Sequence, residues 1–218
     1  MRSFAALARA PDPPLADLAL ALAAEFGRVD AGTAHATLDG LGAELAAAVG
    51  PCGGDPVAEA RTCAEVLGAR HDFAGDREEY DHPDNSMLDR VLARRRGLPI
   101  LLSVVYVAVA ERAGVRLGGV GLPGHFVVGH FGAQPAVLLD PFAGGAALDA
   151  DVEPDLLRPW TPVEIAMRML NNLVGSYGRR GDLGRAITAA RLRTLLPAVA
   201  PVQESLEAEL RRLQARLN

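Results

Sequence analysis

The chain has 218 residues, of which 50% are hydrophobic and 5% aromatic, so it can bury a sizeable core built from Ala, Leu and Val. A net charge of -5 offers no electrostatic basis for nucleic-acid binding. The two cysteines, Cys52 and Cys63, are too few for a disulfide framework and are predicted to be free thiols. The N-terminus lacks a signal-peptide pattern, and the apolar run from Leu98 to Ala113 is too short to span a bilayer, which predicts a cytoplasmic protein without membrane attachment.

Apolar residues recur at helical spacing in the first third of the chain. This spacing predicts helices over residues 15–26, 33–48 and 57–68, the last opening at Asp55 and Pro56. Residues 71–83 are polar and irregular and are predicted to be mostly loop, with an acidic cluster that includes two histidines. Because nothing fixes a ligand spacing there, we interpret the cluster as a solvated loop and not as a metal site.

A further helix is predicted to begin at Asn85 or Ser86, with Ser86 and Asp89 as a capping box, and to stop at Gly97. Three arginines, 94–96, would complement the dipole at its end. The next helix, from Leu98 to Ala113, carries Pro99 in its first turn and is apolar on nearly every face, which indicates a buried helix.

Three short β-type segments follow, at residues 115–122, 126–131 and 136–139. They predict an α+β protein in which an antiparallel sheet packs on the buried central helix. Residues 149–162 are predicted to be a linker, and helices are expected at 167–177, 185–196 and 203–217. The predicted regions are an N-terminal helical region (1–83), a core (84–150) and a helical tail (163–218).

Two side chains after the central helix suggest chemistry. His125 and Asp140 would stand on neighbouring strands, as the base and orienting acid of a nucleophilic site do. The alternatives are a hydrogen-bonded core histidine and a strand-ending Asp-Pro turn. His130 differs from His125 in parity, so a regular strand points the two to opposite faces and a two-histidine metal site is not expected.

Three ordered motifs carry a family resemblance: R-R-R-G-L-P-I-L-L-S-V-V-Y at 94–106, P-G-H-F-V-V at 123–128 and L-D-P-F-A-G-G at 139–145. They resemble the Sir-B-type proteins of bacteria, which belong to the transglutaminase-like superfamily with a papain-like α+β core. The segment R-M-L-N-N-L at 168–173 is similar to that family's tetratricopeptide-like tail. In active transglutaminase-like enzymes a Cys begins the central helix, and here Pro99 or Ile100 occupies that position.

The resemblance therefore implies a pseudoenzyme that keeps His125 and Asp140 but lacks the nucleophile, and that acts as a regulatory or partner-binding protein with a protein or peptide partner. The alternative is an acyl-transfer or amide-hydrolysing enzyme that uses Ser103, or a thiol from elsewhere in the chain, with His125 and Asp140. A buried Ser103 that donates back to a helix carbonyl, and a His–Asp pair that only braces the sheet, are the structural readings. No cofactor and no metal are predicted.

Overall fold

The computed structural model describes residues 1–149 and 152–217, and within them helices precede and follow a small sheet. The helices are α1 (Phe4–Ala8), α2 (Leu15–Ala24), α3 (Ala31–Val49), α4 (Pro56–Cys63), α5 (Leu88–Arg94), α6 (Pro99–Ala113), α7 (Pro162–Arg179), α8 (Leu183–Arg193) and α9 (Ala200–Ala215). The strands are β1 (Ala74–Gly75), β2 (Arg96–Gly97), β3 (Leu117–Leu122), β4 (His125–His130), β5 (Val137–Asp140) and β6 (Ala146–Ala147). This is the mixed helix-and-sheet architecture that the sequence predicts.

Helices α3 and α4 begin within about two residues of their predicted starts because local capping sets them, whereas the short helix α1 was not predicted. Asp30 accepts the Thr33 N–H at 3.0 Å at the start of α3, and Asp55 accepts the Val57 N–H at 2.9 Å at the start of α4. The predicted third helix does not continue as α-helix to its end: after Cys63 the chain forms a π-helical segment from Ala64 to Arg70. Such wider turns are rare and have no sequence signature of the kind that caps have.

The predicted capping box at the start of α5 is wrong. Residues Pro83–Ser86 form a 3₁₀ turn, and α5 begins at Leu88 after Met87, which provides no side-chain cap. Ser86 is buried, and its Oγ has no hydrogen-bond partner within residues 1–149 and 152–217. Pro83 and the burial of this turn determine the backbone conformation before α5, so the start of the helix does not depend on local capping.

The central helix α6 is confirmed, from Pro99 in its first turn to Gly114, which ends it with a positive φ of 73°. It packs against α3 on one side and against β3 and β4 on the other. Its side chains are buried almost throughout, as expected for a helix that is apolar all round. None of the described helices combines the length and the apolar character needed to cross a lipid bilayer.

The larger sheet is antiparallel in the order β3-β4-β5-β6, with Leu117 opposite His130 and Leu122 opposite His125. This register places His125 at the first position of β4, beside the hairpin, and Asp140 at the last position of β5. Strands β1 and β2 form a separate parallel pair, which the sequence analysis did not predict. The pair joins the acidic loop to the segment between α5 and α6.

The described part of the predicted linker packs against the sheet. The Trp160 N–H donates to the Gly119 carbonyl oxygen at 2.8 Å, and the indole lies over β3. A Cβ at Gly121 would overlap the Trp160 ring, which explains why this strand is rich in glycine. The core is continuous from Phe4 through the central helix to Leu196, so all three predicted regions contribute to it. The tetratricopeptide-like nature of the tail and the region boundaries remain predictions.

Helix α7 begins with a capping box in which Thr161 and Glu164 bond each other's backbone N–H groups, and Arg158 adds an ion pair to Glu164 at 2.6 Å. The Arg158 guanidinium, followed by the Thr161 N–H and hydroxyl, lowers the pKa of Glu164 to about 2 from an ordinary value of 4.5. A carboxyl whose pKa is depressed by folding stabilises the protein above its unfolded pKa and loses that contribution as the pH falls toward the folded pKa.

We therefore expect Glu164→Gln, which keeps the capping geometry without the charge, to lower the free energy of unfolding at pH 6 by about 1 kcal/mol. The figure is discounted because the Glu164 side chain is 36% exposed. Urea denaturation between pH 6 and pH 2 measures the effect, and the two proteins should converge as the pH falls from 4.5 to about 2. A constant difference across this range would contradict the assignment.

Candidate functional site

The ends of β4 and β5 bring His125 and Asp140 together. The His125 Nε2 lies 2.9 Å from the Asp140 Oδ2, and the other carboxylate oxygen accepts the Phe142 N–H at 2.9 Å. Pro141 follows Asp140 in a 3₁₀ turn, so the Asp-Pro turn and the pairing with His125 occur together. The Asp140 side chain is 17% exposed and that of His125 is 32% exposed, which leaves the imidazole accessible at the surface.

The bond to Asp140 fixes which ring nitrogen of His125 is available to another group. With Nε2 directed at the carboxylate, Nδ1 is the ring nitrogen that can meet another group, and it forms no hydrogen bond to any described residue. The arrangement is that of a base held by an acid, and it could polarise or hold a polar group placed at Nδ1.

Helix α7 supports His125 from behind. Arg168 Nη2 donates to the His125 carbonyl oxygen at 3.1 Å, and its guanidinium lies 5.6 Å from the Phe126 ring centroid and 5.7 Å from that of Trp160. The two rings meet edge to face with centroids 5.3 Å apart. Desolvation among these groups lowers the pKa of Arg168. No sequence pattern points to Arg168, because only the tertiary fold brings residue 168 to the strand that begins at 125.

The first turn of the central helix offers no nucleophile. Leu98 caps α6 without a side-chain hydrogen bond, and both Pro99 and Ile100 are buried. Ser103 is fully buried one turn later, and its Oγ bonds to nothing in the part of the chain that the structure describes. The hydrogen bond from Ser103 to His125 that the enzyme alternative requires is therefore absent, as is the predicted bond to a helix carbonyl.

The two cysteines are free, as the sequence predicts. Cys63 ends α4 and is fully buried, and desolvation raises the pKa of its thiol to about 12, with the Glu59 charge adding to the effect. A thiol in that state has almost no thiolate at neutral pH. Cys52 is half-buried, with its Sγ 3.5 Å from the Thr62 Oγ1. Neither sulfur hydrogen-bonds to His125 among the contacts of residues 1–149 and 152–217.

The other side chains that could bind a metal each pair with a different residue. His130, at the last position of β4, is buried. Its Nε2 lies 2.8 Å from Glu59 Oε2, and its Nδ1 accepts the Gly132 N–H. In the acidic cluster, His71 pairs with Glu44 at 2.6 Å, and Asp72 with Arg96 at 2.8 Å. No group of three or more His, Cys, Asp or Glu side chains converges in a metal-binding arrangement among the described residues.

A polar network centred on Asn85 lies at the start of the central helix, and no sequence pattern predicts it. Asn85, which is fully buried, donates its Nδ2 to the Glu79 carbonyl at 2.7 Å and accepts from Arg94 at 3.1 Å. Arg94 also pairs with Asp76 at 2.8 Å, and the Asn85 carbonyl accepts the Leu98 N–H at 3.0 Å. The Glu79 N–H is the largest cause that lowers the pKa of Asp76. The network positions the start of α6. The arginine run at 94–96 predicts only charges that complement the helix dipole, whereas Arg94 in fact bonds Asn85 and Asp76.

Comparison with known proteins gives consistent results. The family model of the transglutaminase-like superfamily matches residues 32–171, which include α6, β4 and β5. The chain is 36% identical over 144 residues to a UPF0162 protein of Xylella fastidiosa, a match covering 57% of this chain and 51% of that protein. It is 31% identical over 219 residues to a UPF0162 protein of Pseudomonas aeruginosa, covering 91% of this chain and 78% of that one. Mouse F-box only protein 21 is 31% identical over 163 residues, 66% of this chain and 25% of that protein.

The chain thus spans about half the length of the Xylella relatives that it matches. No solved structure matches it significantly.

Proposed function

Because the chain belongs to the transglutaminase-like superfamily, we propose that it is a non-catalytic member that binds a protein or peptide partner at the His125–Asp140 site. Within this proposal His125 and Asp140 orient a polar group of the partner and do not activate a nucleophile. The finer assignments, to the Sir-B-type family with a tetratricopeptide-like tail and a regulatory role in the bacterial cytoplasm, belong to the same proposal.

The first turn of α6 carries the proposal. The resemblance implies a cysteine at the start of this helix in active enzymes, where the helix dipole favours a thiolate. Here a proline and an isoleucine stand at that point and both side chains are buried. The carboxylate and imidazole that would serve such a thiol are nevertheless held 2.9 Å apart and are partly accessible. Because no nucleophile stands at the start of α6, the His125–Asp140 pair is better suited to binding a partner than to catalysing a reaction.

The enzyme alternative has less support. Ser103 has 0% exposure, so a substrate carbonyl has no route to its Oγ, and the contact with a base that activates a serine hydroxyl is absent among the described residues. A purely structural role for the His–Asp pair would leave the partial exposure of the imidazole unexplained, because a hydrogen bond that only braces the sheet gains from full burial.

Chemical labelling tests the proposal. We expect a fluorophosphonate probe to leave the native protein unlabelled, and an iodoacetamide probe to react at Cys52 alone, at the same rate in His125→Ala as in the native chain. Cys52→Ser should abolish the thiol labelling and Ser103→Ala should change no labelling. Stoichiometric labelling that disappears in His125→Ala would establish a nucleophile at this site and overturn the proposal.

Ser103→Ala also has an expected effect on stability. Alanine removes a buried hydroxyl that has no partner in the described residues and has the higher helix propensity, so the free energy of unfolding should rise by about 0.5–1 kcal/mol. If Ser103 held a catalytic hydrogen bond, the same change would lower the stability. Urea denaturation distinguishes the two signs.

A further inference from the structure

A groove of about 750 Å³ runs beside α7 and reaches the start of α9. Its apolar lining includes Trp160, Val163, Met167, Val199 and Val202. Val199 is 70% exposed and Val202 46% exposed, which is unusual for two large apolar side chains on the same surface. The groove is therefore a face on which covering apolar surface would stabilise a complex.

Arg168 is a cation in the lining of this groove. Arg168 forms no ion pair with any described residue, although it is partly desolvated between Phe126 and Trp160. The other charged residue in the lining, Glu164, is already neutralised by Arg158. Arg193, on the neighbouring helix α8, is likewise paired, with Glu209 at 2.7 Å. A partly desolvated guanidinium without a carboxylate gains more from an anion than an exposed one does.

The lining of the groove is therefore complementary to a ligand that is mainly apolar and carries a single negative charge. An acidic segment would bring several charges to a surface whose described lining offers Arg168 as its cation, and the other charges would be desolvated against valine and methionine. A peptide that ends in apolar residues brings one carboxylate, at its terminus. Asn171 and Asn172 also line the groove and can bond the backbone of an extended peptide.

We propose that this groove binds the C-terminal end of an extended peptide, with the terminal carboxylate on Arg168 and the last apolar side chains against Trp160 and Met167. The proposal rests on the function proposed above and specifies its partner class. Since Arg168 also donates to the His125 carbonyl oxygen at 3.1 Å, the bound terminus lies next to the segment that carries the imidazole.

The test begins with a display library of random heptapeptides with free C-termini, selected on the full immobilised chain. The best binder is synthesised as the free acid, as the C-terminal amide, and as an amide with an internal glutamate. Fluorescence polarisation should give an affinity for the acid at least about tenfold higher than for either amide, the usual size of one charge-assisted contact. Replacing the last apolar residue by serine should weaken binding further.

The variant Arg168→Gln should lose about the same factor for the acid and should no longer distinguish acid from amide. Arg211→Gln, an exposed arginine on α9 outside the groove, is the matched control and should bind as the native chain does. A selection that yields no peptide, equal affinity of acid and amide, or equal binding of the glutamate-bearing amide overturns the proposal.

The labelling experiment separates this failure from failure of the proposed function. If acid and amide peptides bind equally and no labelling depends on His125, the groove assignment is wrong and the proposed function stands. Carboxylate-dependent peptide binding together with His125-dependent labelling supports the groove assignment and would make the groove a subsite of an enzyme.

Discussion

Gly68→Ala is expected to lower the free energy of unfolding by about 3 kcal/mol or more, and the melting temperature by about 6–12 °C. Gly68 lies in the π-helical segment against the turn that follows Asp140. A Cβ there would overlap the Gly144 carbonyl oxygen and stand 2.6 Å from the Gly144 carbonyl carbon. Because the obstacle is backbone, the two segments can accommodate a methyl group only by moving apart. Thermal and urea denaturation measure the loss.

Gly40→Ala is the matched control. Gly40 is exposed within α3, and a Cβ there would meet nothing within 4 Å. Alanine is the better helix former, so the same chemical change should raise the free energy of unfolding by about 0.5–1 kcal/mol. If both variants changed stability in the same direction, the proposed contact between Gly68 and Gly144 would be wrong.

Asn85→Ala is expected to lower the free energy of unfolding by about 2–4 kcal/mol, because it removes a fully buried amide and leaves the Glu79 carbonyl and one side of the Arg94 guanidinium without the bonds that Asn85 provides. The loss should reach the central helix, since the Asn85 carbonyl accepts the Leu98 N–H at its start. Urea denaturation gives the total loss. Hydrogen exchange should show faster exchange at Leu98 and in the loop around Asp76 than in α8.

Asn172→Ala provides the comparison for Asn85. The Asn172 side chain is half-buried on α7 and makes no hydrogen bond to the described residues, so its replacement should change stability by no more than about 0.5 kcal/mol. Equal losses in the two variants would mean that the network around Asn85 contributes nothing beyond helix propensity and packing.

The central helix and the sheet were predictable because their signals are local. Pro99 and Gly114 bound an apolar segment, and both perform at the ends of α6 the roles that their backbone chemistry predicts. Strands β3, β4 and β5 lie within about two residues of the predicted ones for the same reason. The start of α5 was not predictable, because the buried turn at Pro83–Ser86 replaces the expected Ser86 cap.

The candidate site was predictable only in part. The sequence placed a histidine before one strand and an aspartate at the end of the next, and the antiparallel register brings the two within 2.9 Å. It did not identify the contact of Arg168 with His125, which lie 43 residues apart, or that of Asn85 with Arg94, which lie 9 residues apart. Contacts of this kind depend on how helices pack and leave no periodic pattern in the chain.

By itself the sequence determined the positions of most α-helices and of strands β3 to β5, the buried character of α6 and the absence of a cysteine at its start, because each follows from the identity or spacing of neighbouring residues. Only the tertiary structure decided that Ser103 is isolated from His125, that burial raises the pKa of Cys63 to about 12, and that Arg168 lines an apolar groove without an ion pair to any described residue. Burial, desolvation and the distance between charges are properties of surfaces brought together from distant parts of the chain, and they set which groups can react or bind.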